Sequence, residues 1–142
     1  MQKLISFMPK AARLLHVKPR RLGDVVVESG YKLESNPDTV RGPDVSFVRR
    51  ERIVHRTRGF WRGAPDLVVE VLSPDDRPSE VREKIDEYLM HGVVAVLIVD
   101  PDEKSVTVHR RLTAPLTLHQ DEIIDLDDVV AGFSCGVREI FE

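Results

Sequence analysis

The chain has 142 residues, the length of one domain, and its 42% hydrophobic and 32% charged residues supply one sizeable core and exclude global disorder. A net charge of −3 conceals a division, since residues 1–62 carry 14 Lys and Arg against 6 Asp and Glu, whereas residues 63–142 carry 7 against 18. A basic half can approach a phosphate backbone while acidic groups elsewhere hold cations, although charge runs also occur as plain solvated faces.

In chain order, Leu4, Ile5, Met8, Ala12 and Leu15 have helical spacing, so a helix kinked near Pro9 is expected. Pro9 and the interspersed charges leave this segment without the apolar core of a signal peptide. Residues 24–33 (DVVVESGYKL) predict a strand bent at Gly30, and Asn36, Pro37 and Asp38 predict a loop. Residues 43–48 (PDVSFV) predict a short strand with Asp44, Ser46 and Val48 on one face. Between 49 and 62, six arginines face a single acid, Glu51, and a long exposed loop is expected.

Residues 67–72 (LVVEVL) are apolar on both pleat faces, as in a central strand covered on two sides. A helix follows from Pro78, with Glu80 and Glu83 near its positive end and Gly92 as its stop. Val81, Ile85, Tyr88 and Leu89 form its buried stripe. Residues 94–99 and 105–110 predict two more strands, the second with Val106 and Val108 facing inward. Strand, helix and strand in succession imply an α/β fold: a single domain over residues 1–142 with a βαβ-like core and further antiparallel strands.

The longest apolar run, residues 93–99, is seven residues long, against the roughly 20 that a membrane-crossing helix needs. A soluble protein is expected. The five histidines lack the short spacings of a zinc site. The lone Cys135 excludes an intrachain disulfide, fits a reducing compartment such as the cytoplasm, and reads as a small apolar residue rather than a nucleophile.

Glu70 is the chemical anomaly, because it sits in the middle of the most hydrophobic strand, where an ionised carboxylate needs compensation. An exposed sheet face or an arginine partner would supply it; so would a hard cation with oxygen ligands, such as Mg²⁺. Asp44 opens a neighbouring strand and could bring a second carboxylate to the same edge. Lys84 borders the buried stripe and can reach along the sheet, or it can pair at the surface with Glu80 or Glu87. Two carboxylates, a divalent cation and a lysine suit phosphodiester hydrolysis. Arg49, Arg50, Arg52, Arg56 and Arg58 would then track the nucleic-acid backbone, while Phe60 and Trp61 either contact bases or anchor the loop to the core.

PDVSFV (43–48), GAPDLVVEVLSPDD (63–76), the helix bearing Lys84 and Tyr88, HGV (91–93), VDP (99–101) and AGFS (131–134) together resemble the Uma-type putative restriction endonuclease family of the PD-(D/E)XK nuclease superfamily. The resemblance implies a restriction-endonuclease-like core, a mixed sheet flanked by helices, with Asp44 and Glu70 as metal ligands and Lys84 as the catalytic lysine. Leu72 stands where the superfamily pattern has its lysine, and the family's lysine on the following helix maps onto Lys84. Family members also carry a preceding segment with a further active-site acid. This chain begins partway through that region, and Glu28 is a conceivable substitute. The expected function is a Mg²⁺- or Mn²⁺-dependent endonuclease hydrolysing DNA, homodimeric by fold analogy. The alternative is a catalytically degenerate nuclease-fold module that binds nucleic acid or a partner subunit.

Overall fold

The computed structural model describes residues 22–27, 30–35, 39–53 and 60–141. The expected N-terminal helix, the loop at 36–38, Glu28, Arg56 and Arg58 lie outside them. Six strands form the main sheet: β1 (Gly23–Val27), β4 (Val45–Arg49), β6 (Leu67–Val71), β7 (Ala95–Asp100), β8 (Ser105–His109) and β9 (Leu116–Leu118), hydrogen-bonded in that order. Only β6 and β7 run parallel; the other neighbours are antiparallel. Helix α1 (Pro78–Met90) makes the crossover between the parallel pair, as a parallel connection requires.

Both faces of the sheet are covered, which explains why every residue of β6 is buried. On one face Ile85 and Tyr88 of α1 pack with Val68, Val96 and Ile98, with Val81 and Leu89 partly buried at the border. The opposite face carries the larger cluster, in which Val69, Leu97 and Val99 meet Leu126, Phe133 and Ile140 from the C-terminal segment. That segment contains the β10 (Ile123–Asp125) and β11 (Ser134–Gly136) pair and the short helix α2 (Val137–Phe141). Cys135 packs partly buried against this cluster, and burial pushes its thiol up to about 11, in keeping with an unreactive side chain.

The expected single strand over 24–33 is two strands in two sheets. β1 forms an edge of the main sheet beside β4, whereas β2 (Gly30–Glu34) is the centre of a small sheet between β3 (Thr39–Arg41) and β5 (Phe60–Arg62). Packing decides the division: Tyr31 of β2 is buried, stacks on Trp61 of β5 with centroids 6.1 Å apart, and bonds Ser46 Oγ at 2.6 Å. Gly23 starts β1 at a close approach, where an added Cβ would lie 2.0 Å from the Val48 carbonyl oxygen.

The described parts of residues 49–62 likewise depart from the expected loop. Arg49 closes β4, Arg50–Arg52 form one turn of 3-10 helix, and Phe60–Arg62 is β5. Trp61 is buried at 8% exposure and anchors this segment. Helix α1 ends as expected, with Gly92 at φ +97, a conformation that only glycine adopts without strain. Among the described residues no helix is long and apolar enough to cross a membrane.

Candidate active site

β4 and β6 are antiparallel with Val45 opposite Val69, so one step along the register sets Asp44 against Glu70. The two residues interlock. The Asp44 backbone N–H donates to Glu70 Oε1 at 3.0 Å, and Asp44 Oδ2 accepts the Val71 N–H at 2.8 Å. Each carboxylate is thereby fixed by the neighbouring strand, an arrangement more rigid than a loop provides.

Lys84 joins them from α1. Its Nζ lies 3.0 Å from Glu70 Oε2, an ion pair by distance although not aligned as a hydrogen bond. Lys84 therefore pairs with the strand glutamate rather than with Glu80 or Glu87. Glu87 instead takes Arg41 of β3, with Nη2 donating at 2.7 Å and Nε at 3.3 Å.

Glu70 is 8% exposed. Burial raises its pKa and the nearby Asp44 charge adds to the rise, against the lowering effects of Lys84 and the Asp44 N–H. One ammonium and one N–H leave this carboxylate incompletely compensated. Additional positive charge would be favourable at this point. The donor set is two hard oxygen ligands at the adjoining ends of two central strands, which fits Mg²⁺ or Mn²⁺, since such ions bind through one or two carboxylates and fill the remaining positions with water and phosphate. Among the described residues, no group of three or more His, Cys, Asp or Glu forms a ready-made metal cage.

The arginines are placed differently. The Arg49 guanidinium donates to the Asp128 carbonyl at 2.6 Å and the Val129 carbonyl at 3.3 Å. Arg52 pairs with buried Asp66 and donates to the Ala64 carbonyl at 2.7 Å. Arg50 is exposed. Ser73 organises the turn before α1: its N–H donates to Asp76 Oδ2 at 2.8 Å and its Oγ accepts the Asp75 N–H at 3.3 Å.

Sequence reasoning did not single out Arg41, and it gave Tyr88 a place in the apolar stripe and in the family pattern but no chemical role. The i, i+4 spacing of Lys84 and Tyr88 was the available signal, because it puts a phenol beside the lysine.

The crystal structure of a putative nuclease belonging to DUF820 from Anabaena variabilis ATCC 29413 superposes with a TM-score of 0.85 at 24% sequence identity, covering 98% of this chain and 80% of that one. The chain thus shares that protein's fold. No curated protein matches it. The sequence pattern of the Uma2 family, described as putative restriction endonuclease, matches residues 10–138, and the chain belongs to that family.

Proposed function

We propose that the chain is a divalent-metal-dependent endonuclease that hydrolyses DNA phosphodiester bonds in the cytoplasm, with Asp44 and Glu70 holding Mg²⁺ or Mn²⁺ and Lys84 as the catalytic lysine. The observation that carries this reading is the meeting of a buried, undercompensated Glu70 with Asp44 and Lys84 at the adjoining ends of two central strands. When bound, the cation supplies neutralisation of phosphate charge and a more acidic water.

The chain's own residues do the rest. Val71 and Asp44 backbone groups hold the two carboxylates in place, so no reorganisation is needed when charge develops. Lys84 has 39% side-chain exposure against 10% for Glu70, and its ammonium stabilises negative charge growing on the phosphate. Arg49 and Arg52 brace the basic segment through their contacts inside the fold, and Arg50, Arg56 and Arg58 of the same segment are the arginines assigned to the DNA backbone in this reading.

Lys84→Met tests the reading. Methionine retains the stem packing but removes the charge, and cleavage of plasmid DNA in Mg²⁺ or Mn²⁺ is expected to fall by about 10²-fold or more, while metal still raises the melting temperature. Unchanged cleavage would remove Lys84 from the mechanism. A wild type that binds DNA yet cleaves neither plasmid nor single-stranded DNA would favour the degenerate binding module.

A further inference from the structure

Tyr88 has 1% exposure, and its hydroxyl makes no hydrogen bond with the described residues. Buried hydroxyls nearly always have a partner, because desolvation without one is costly. The position of this phenol indicates where a partner would come from. Its ring shares a cluster with Val68 and Val96, on the pleat face of β6 that also carries Glu70.

Helix α1 leaves the C-terminal end of β6 and returns to the start of β7, so its earlier turns lie nearer Glu70. Helical side chains lean toward the N-terminus, which tilts Tyr88 toward the turn bearing Lys84, four residues before it on the same face. Lys84 in turn lies 3.0 Å from Glu70. Burial raises the pKa of the phenol, and the Glu70, Arg41 and Asp44 charges are the next strongest influences on it. The hydroxyl therefore stays protonated, a neutral donor within the electrostatic reach of both carboxylates.

We propose that the Tyr88 hydroxyl donates a hydrogen bond to a phosphate oxygen of the DNA strand bound beside Glu70 and Lys84. The assignment deepens the nuclease reading and rests on it. A phenol is suited to this position because it gives a directed donor without adding negative charge beside two carboxylates. Because the Tyr88 hydroxyl is buried, the proposed contact requires a side-chain movement to expose it, and Lys84, 39% exposed and one helical turn away, is the side chain assigned that movement, from Glu70 to the phosphate.

Tyr88→Phe in the full chain tests the contact. The proposal expects a melting temperature equal to or above wild type, because a hydroxyl without a partner in the fold is removed. It also expects kcat for DNA cleavage to fall about 10²-fold, and the rise in melting temperature caused by thymidine 5′-phosphate in Mg²⁺ to shrink. Wild-type kcat in the Phe variant would overturn it, as would a clear loss of apo stability, which would reveal a partner inside the fold. If the wild type cleaves no DNA, the nuclease reading fails separately, and nucleotide binding then decides. A melting-temperature rise present in wild type and lost in the Phe variant supports the phosphate contact, whereas equal responses, including none in either, overturn it.

Discussion

Asp66 and Glu70 lie near opposite ends of β6, both buried, at 2% and 8% exposure, and their surroundings differ in kind. Asp66 receives the Arg49 N–H at 2.7 Å on one oxygen and the Arg52 guanidinium on the other, while its own backbone bonds Phe47 and Val94. Glu70 has one N–H, one lysine and a neighbouring carboxylate that opposes its ionisation. An arginine offers a planar fork that satisfies an acid inside the fold, whereas a lysine is a compact charge on a flexible stem that can be redeployed. The first carboxylate is a structural staple. The second retains an affinity for positive charge that the fold does not meet.

Breaking the staple should give the largest effect. Asp66→Ala strands the Arg49 N–H and removes the partner of Arg52, and a loss of about 3 kcal/mol is expected in urea melts, with any response to Mn²⁺ intact. A loss of metal response in that variant would erase the contrast between the two ends of β6.

Glu70→Gln sharpens the comparison from the other side. Glutamine keeps the shape without the charge, so apo stability should shift by less than about 1 kcal/mol, the scale of one hydrogen bond, while stabilisation by Mn²⁺ disappears. The pH dependence has a definite sign. Because the folded pKa of Glu70 is raised, the folded state holds this proton more tightly than the unfolded chain, whose value is about 4.3. Wild type should therefore lose stability relative to Glu70→Gln as pH rises from that value through the folded one, and then level off. A gain over that range would mean that Lys84 overcompensates burial. A less stable apo variant that still responds to metal would make Glu70 a second staple.

The smallest effect is expected where the small sheet meets α1. His91 Nδ1 lies 2.7 Å from the Glu87 carbonyl and Nε2 lies 2.7 Å from Glu34 Oε1, two acceptors that only an imidazolium satisfies together. Its pKa is raised, chiefly by the Glu87 carbonyl and then by Glu34. The stabilisation is complete below the unfolded value of about 6.5 and is lost as pH rises through the folded one. Glu34 is half-exposed, so His91→Ala should remove a pH-dependent increment of only about 0.5 kcal/mol. Melts at pH 5.5 and 9 that show the same difference between variant and wild type would remove His91 from the clasp between β2 and α1.

Patterns of short range carried much of this in the sequence. The double-sided apolar run of β6, the Pro78 to Gly92 helix with its stripe, and the two following strands were legible because burial imposes a period of 2 on strands and 3.6 on helices. Glu70 stood out for the same reason, as a charge inside a pattern that excludes charge. Asp44 and Lys84 could be named from their positions beside Glu70, but their own spacing fitted a turn and a surface lysine as well, and the family resemblance was what set them apart.

Tertiary structure alone decided how those pieces meet. The segment from Gly23 to Glu34 carries one continuous β signal, yet it serves two sheets, because Tyr31 finds Ser46 and Trp61 far along the chain. Arg49 and Arg52 looked like surface charge until Asp66 and the C-terminal carbonyls were placed beside them. The register of β4 against β6 brings Asp44 to Glu70, and the crossover of α1 brings Lys84 to the same pair. Local sequence fixes which face of an element is apolar through backbone periodicity, but which charges become neighbours depends on long-range pairing, and no local pattern encodes that pairing.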